Sequence, residues 1–258
     1  SCNLLCMYID SHCHFDFAEF DYQRDDQWRQ CIASGVSRLL IPGVEPKQWS
    51  MANDLSMAHS GMFMAAGLHP WWVAKAELPD HIQWQVMLSS EVCVAIGECG
   101  LDGCIDVPMS QQISVFEQHL RMAVEYEMPL IIHVRQAHNE VVRLLKRYKP
   151  IGGGVIHGFT GSVELAMTYW RMGFCLGIGG AITYPRANKT RAMVAAMPLA
   201  SLLLETDAPD MPLHGAQGKA NHPLRLIDVA KTLAVLRDES FATIAAATTA
   251  NANRLFHL

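Results

Sequence analysis

Charge is the scarcest feature of this 258-residue chain. Asp, Glu, Lys and Arg together make up 17% of it, against 50% for apolar residues. A sequence so rich in apolar side chains has material for a large core and is not of the disordered class. The charge that is present leans acidic, with 25 Asp and Glu against 20 Lys and Arg, a formal net of −5. That balance excludes a broad basic surface gripping long nucleic acid, though not a substrate drawn in locally by metal ions and a few arginines. No uninterrupted apolar run reaches the roughly 18 residues of a membrane span, so no membrane association is expected. The start, Ser1-Cys2-Asn3-Leu4-Leu5-Cys6, has no basic region ahead of an apolar run and does not read as a signal peptide, so the expected setting is cytoplasmic. The eight cysteines include no Cys-x-x-Cys pair. Cys13, Cys93, Cys99 and Cys175 fall inside apolar, strand-like runs, where a reduced cysteine acts as a small core residue. Linkers, low-complexity segments and repeats are also missing. The expectation is one domain over residues 1–258, with no obligate protein partner evident.

Short apolar runs alternate with longer segments of helical character. The spacing predicts strands at Met7–His12, Arg38–Val44, Met62–Leu68, Cys93–Gly97, Leu130–Val134, Gly154–His157, Phe174–Ile178 and Leu202–Glu205. A helix is expected over Ser110–Tyr126, with Ile113, Phe116, Leu120 and Ala123/Val124 on one face and Pro129 beyond its end. Val141, Leu144 and Leu145 mark another, closed by Pro150, and Ile227, Ala230, Leu233, Ala234 and Phe241–Ala247 supply the last helices. Eight strand-then-helix units point to a parallel α/β fold, a single (β/α)8 TIM barrel in preference to an open doubly wound sheet.

Polar residues break these runs at their C-terminal ends, where barrels assemble their active sites. They are His12-Cys13-His14, Gly97-Glu98-Cys99-Gly100, His133, His157-Gly158 and Glu205-Thr206-Asp207. Residues two apart on a strand share a face, so His12 and His14 can both look into the mouth. A lone His-x-His can equally be a strand histidine satisfied by backbone. Four imidazoles and two carboxylates gathered in one place are a different matter, because buried charge needs a partner and divalent cations supply it. Imidazole and carboxylate suit zinc, manganese and similar ions, so the donors leave the metal open.

These stretches resemble the TatD family of metal-dependent hydrolases and deoxyribonucleases, a branch of the amidohydrolase-like barrels. The matching segments are Ile9-Asp10-Ser11-His12-Cys13-His14, Gly67-Leu68-His69-Pro70 and Ile96-Gly97-Glu98-Cys99-Gly100-Leu101-Asp102. His133-Val134-Arg135, His157-Gly158-Phe159-Thr160-Gly161, Glu205-Thr206-Asp207-Ala208-Pro209 and Asn221-His222-Pro223 follow in family order. The resemblance implies two divalent ions (zinc, manganese or magnesium). His12, His14 and Asp207 would hold one, His133 and His157 the other, and Glu98 would bridge them. It also implies phosphodiester cleavage in DNA, in some members 3′-to-5′. Ions about 3.5–4 Å apart can clamp attacking and leaving oxygens and acidify a bound water. Asp207 is then the candidate to orient or deprotonate that water, beside Glu98, unless it is a plain ligand. Arg135 and His69 are candidate substrate contacts, against a rim salt bridge and a backbone-satisfied histidine. Asp102 is a candidate to fix a histidine or loop, and Asp10 a candidate for a structural hydrogen bond. Trp71 and Trp72 either stack on a base or cover the underside of their loop. Tyr184, Arg186 and Lys189 are further candidate contacts. The chain departs from many relatives at Gly103, where they carry an aromatic, and at His222, where they carry Glu or Arg.

Three functions fit these features. The first is a phosphodiesterase acting on DNA or a small phosphoester. The second is a carboxylic ester, lactone, amide or aminoacyl-ester hydrolase on the same binuclear site. The third is a metal-dependent binding protein without activity. Glu98 as bridge, in place of a lysine able to be carbamylated, favours the TatD-type branch over amide-ring hydrolases.

Overall fold

Each of the eight apolar runs becomes a strand, and each strand is followed by helix. A computed structural model describes residues 7–258. The opening segment read above for a leader, with Cys2 and Cys6, lies outside the described residues. The strands are β1 (Tyr8–Asp10), β2 (Val36–Ile41), β3 (Met62–Ala66), β4 (Cys93–Asp102), β5 (Leu130–Arg135), β6 (Gly154–Ile156), β7 (Phe174–Ile178) and β8 (Leu202–Leu204). The helices are α1 (Arg24–Ala33), α2 (Pro46–Ala58), α3 (His81–Leu88), α4 (Met109–Glu125), α5 (His138–Tyr148), α6 (Val163–Arg171), α7 (Asn188–Ala196), α8 (Leu226–Arg237) and α9 (Phe241–Phe256). The sheet runs in chain order from β1 to β8, parallel throughout, the (β/α)8 class expected from the sequence. Among the described residues, no helix is long and apolar enough to cross a membrane.

The chain divides into two compact units. One holds residues 7–41, 158–168 and 176–254. Within it, β7 pairs with β8 and β1 with β2, and the Ser11 N–H donates to Leu204 O (2.9 Å), tying the end of β8 to β1. Its buried side chains include Ile9, Leu39, Leu40, Ile41, Leu203, Val229, Leu233 and Ile244. The other unit holds residues 42–157, 169–175 and 255–258, with β3, β4, β5 and β6 paired in succession. Here Ile131 and Ile132 of β5 and Val141, Leu144 and Leu145 of α5 are buried, as the spacing of the α5 residues requires. Burial of side chains this size stabilises by about 1.5–3 kcal/mol each, before the entropy of ordering them.

Two details differ from the sequence expectation. β4 does not end at Gly97 but continues to Asp102, with a register shift against β5 at Glu98. Gly100 makes this possible. Its φ is +141°, and any Cβ there would collide with the His133 carbonyl, so β4 and β5 meet closely beside Glu98 and His133. On α4, Val124 is exposed, whereas Gln112, Val115, Phe116, His119, Leu120 and Ala123 are buried. The predicted face is kept at Phe116, Leu120 and Ala123, and it widens to take in two polar side chains, Gln112 and His119, which are satisfied by backbone groups at the ends of β4 and β3.

Candidate metal centre

In the first unit, the residues beyond β1 run beside those beyond β8. The His14 N–H donates to Ala208 O (2.8 Å) and the Asp207 N–H to His12 O (2.8 Å). Asp10 underpins this pairing. Its Oδ1 accepts from the His12 and Thr206 N–H groups (3.2 and 3.0 Å), and its Oδ2 accepts from Thr206 Oγ1 (2.6 Å). Complete burial pushes the Asp10 carboxyl up to about 7, although those hydrogen bonds pull the other way. Its role is structural, and it aims the two histidines. His12 Nε2 and His14 Nε2 each lie 3.4 Å from Asp207 Oδ1, with their rings edge to face at 5.1 Å.

Glu205 is a further buried carboxylate that the sequence motif contains but to which no role was given. Its Oε1 accepts the Gly158 N–H at 2.6 Å, and its Oε2 occupies the space a side chain on Gly177 would need. A glycine facing an acid across neighbouring parallel strands is the sequence signal for it. It becomes readable only once the β7–β8 register is known. Asn221 of the Asn-x-Pro motif donates through Nδ2 to Thr206 O (2.9 Å) and Met211 O (3.2 Å), which pins the segment on either side of Asp207.

In the second unit, Glu98 sits at the β4 register shift, 2% exposed, with its Oε1 as a common point for three imidazoles. His133 Nδ1 lies 3.2 Å from it, His69 Nε2 3.4 Å and His157 Nε2 3.8 Å. The other nitrogen of His133 is taken, with Nε2 3.0 Å from Asp102 Oδ2. Asp102 also accepts from Trp71 Nε1 (2.9 Å) and from the Cys104 N–H (2.8 Å). Burial alone would raise the Asp102 carboxyl, but these bonds outweigh it and hold it well below the usual carboxylate range. For His133, burial opposes charge, yet the Asp102 and Glu98 contacts raise its pKa above the ordinary imidazole value. Asp102 therefore fixes both a histidine and a loop, and His133 presents Nδ1 toward Glu98.

His69 offers a nitrogen within 4.8 Å of ligand atoms of Glu98 and His133, as a metal ligand would. Its hydrogen bonding argues otherwise. Nδ1 accepts the Trp71 N–H at 3.1 Å, so the neutral ring carries its proton on Nε2, which lies 3.3 Å from His133 Nδ1 and 3.4 Å from Glu98 Oε1. The loop bearing it is held from behind by His119 of α4. Its Nε2 accepts the Leu68 N–H (2.9 Å) while Nδ1 faces Val115 O (2.9 Å). Burial pushes His119 down to about 4. The two tryptophans differ in their surroundings. Trp72 packs against Leu68, Val73 and Val115, whereas Trp71 is 49% exposed and anchored through Asp102. Arg135, beyond His133 on β5, is exposed and forms no ion pair among the described residues.

The donor set fits divalent metal. Each unit gathers imidazole nitrogens about one buried or nearly buried carboxylate oxygen, and the Asp102–His133 pair is the arrangement that orients a metal-binding histidine. His12, His14, Glu205 and Asp207 in one unit, and His69, Glu98, His133 and His157 in the other, are candidates to serve as ligands.

Comparison with known proteins agrees. A family model described as TatD related DNase matches residues 9–257. The metal-dependent hydrolase YjjV of Escherichia coli K12, itself uncharacterized, is 38% identical over 99% of this chain and 100% of its own. A crystal structure of YjjV superposes with a TM-score of 0.95, covering 99% of this chain and 100% of that one. A relative from Cronobacter sakazakii named 3′-5′ ssDNA/RNA exonuclease TatD is 33% identical, over 93% of this chain and 94% of its own. With the family pattern matched along nearly its whole length and a buried imidazole–carboxylate set at its strand ends, the chain belongs to the TatD family of metal-dependent hydrolases.

Proposed function

We propose that the chain is a phosphodiesterase that trims single-stranded DNA or RNA, or cleaves a small phosphoester, acting as one barrel domain. Two divalent ions (zinc, manganese or magnesium) would be held by residues drawn from His12, His14, Glu98, His133, His157 and Asp207. The observation carrying this reading is the crowding of imidazole nitrogens, 3.2–3.8 Å away, about Glu98 Oε1 and Asp207 Oδ1. The Cronobacter relative, named as a 3′-5′ ssDNA/RNA exonuclease, supports the substrate class.

A bound pair of divalent ions supplies charge stabilisation at a phosphoryl group and acidifies water. Asp207 Oδ1 takes the proton of the attacking water, its orientation fixed by its backbone bond to His12 O. As the water oxygen bonds to phosphorus, the bond to the leaving alkoxide breaks, and that oxygen takes up a proton. His69 would contact the substrate beside Glu98, and the exposed fork of Arg135 would draw the substrate phosphate to the rim.

The test is cleavage of 3′-labelled and 5′-labelled single-stranded DNA by metal-stripped protein, with magnesium, manganese or zinc restored, beside Glu98→Ala and His12→Ala. Metal-dependent degradation lost in both variants is the expected result, and the label pattern gives the polarity. Bound metal without cleavage under any ion refutes the phosphodiesterase and moves the search to carboxylic esters and lactones.

A further inference from the structure

The loops following β7 and β8 are laced together. Tyr184 Oη donates to Pro212 O (2.7 Å) and the His214 N–H donates to Thr183 Oγ1 (2.9 Å). The Tyr184 and His214 rings meet edge to face at 5.5 Å. Beside them opens a cavity of about 500 Å³ lined by Ala181, Tyr184, Arg186, Ala187, Met211 and Pro212. Its walls are flat and apolar with one cation. The Arg186 guanidinium lies over the Tyr184 ring, 5.9 Å from its centre, and forms no ion pair among the described residues. Stacking uses the face of a guanidinium and leaves its in-plane N–H donors to a ligand. The far wall belongs to the segment carrying Asp207, since the Asp210 N–H donates to Asp207 O (2.8 Å) and Asn221 holds the Met211 carbonyl.

We propose that this cavity is the subsite for the nucleotide next to the scissile one. Its phosphate lies against Arg186, and its base lies against Met211, Pro212 and the two alanines. A cation beside apolar walls matches a nucleotide unit, a flat ring joined to an anion, and an open cavity with a single arginine in its lining suits one unit of a single strand rather than a duplex. The substrate class rests on the phosphodiesterase reading. The subsite itself is tested by binding without metal, where that reading plays no part.

Fluorescein-labelled (dT)6 is titrated into metal-stripped, full-length protein in EDTA at several KCl concentrations, and anisotropy gives Kd. Arg186→Ala is expected to weaken binding about tenfold and to lower the slope of log Kd against log salt by about 0.7, one phosphate contact on a single strand. Arg186→Lys keeps the charge and restores the slope, but only part of the affinity. Lys146→Ala, which removes one positive charge from α5, leaves both unchanged. No binding by the wild type, an unchanged slope in Arg186→Ala, or an equal effect of Lys146→Ala overturns the proposal. If the subsite pattern holds while no ion restores cleavage, the subsite stands and the phosphodiesterase reading falls.

Discussion

Lowering the pH should destabilise the metal-stripped protein through His119 in particular. This residue is completely buried and neutral, with Nε2 accepting from Leu68 and Nδ1 donating to Val115, and burial lowers its pKa from 6.5 to about 4. The unfolded chain therefore binds a proton between pH 6.5 and 4 that the folded chain refuses, and stability falls as pH falls through that window. A shift of about 2.5 units corresponds to roughly 3 kcal/mol lost across it, at 1.36 kcal/mol per unit. Asp10 works in the opposite direction. Its carboxyl is raised from 3.8 to about 7, so the stability it contributes is complete below its unfolded pKa and disappears as pH rises toward 7. A raw pH profile mixes the two, so the measurement is a difference. Urea midpoints of the wild type and of His119→Gln are followed from pH 7.5 to 4.5. The glutamine can still accept from Leu68 but does not titrate. His119→Gln should be the less stable protein at pH 7.5, and that disadvantage should shrink progressively as the pH drops. Parallel profiles would mean that His119 titrates normally, and would refute a neutral, hydrogen-bonded imidazole behind the His69 loop.

Three other outcomes follow from the same contacts. Asp102→Asn removes the carboxylate that fixes His133 Nε2 and should weaken metal affinity by about 10- to 100-fold, measured by competition with a chelator. Unchanged affinity would exclude His133 as a ligand oriented in this way. Gly177→Ala drives a methyl group into Glu205 Oε2, and overpacking of this kind costs about 1–3 kcal/mol, visible as a lower Tm. Asn221→Ala leaves the buried Thr206 carbonyl without its donor and should destabilise by about 1–3 kcal/mol, with a larger effect on activity than on fold, since that carbonyl precedes Asp207.

The strands were legible because parallel strands with both faces covered read as continuous apolar runs, and the separation of those runs leaves room for helices. Their ends were harder. Gly97-Glu98 looks like a strand terminus, yet β4 continues to Asp102, since a bulge and the left-handed Gly100 let it keep pairing with β5 through Arg135. Spacing also singled out candidate side chains for the site, but not which nitrogen of each. That His133 presents Nδ1 and His69 presents a proton follows from Asp102 and from the Trp71 N–H, partners set by tertiary structure.

The carboxylates make the same point in a sharper form. Asp10, Glu98, Asp102, Glu205 and Asp207 all lie at or just beyond the end of a strand, and residue type and position do not distinguish them. Their neighbours do. Asp10 accepts from two backbone N–H groups and a threonine hydroxyl, Asp102 from an indole and a backbone N–H, and Glu205 from the Gly158 N–H. These are groups that fix a carboxylate in place. Asp102 also meets one imidazole nitrogen, of His133, but Glu98 and Asp207 each meet two or more through a single oxygen, which suits a carboxylate that shares a cation. Of the five, these two should therefore be the ones whose amides, Glu98→Gln and Asp207→Asn, abolish turnover while leaving the urea midpoint of the metal-free protein close to that of the wild type. Asp10→Asn should show the reverse ordering, with stability lost first. A variant of Glu98 or Asp207 that unfolds as readily as one of Asp10 would show that this division between holding and acting does not follow from hydrogen-bond partners.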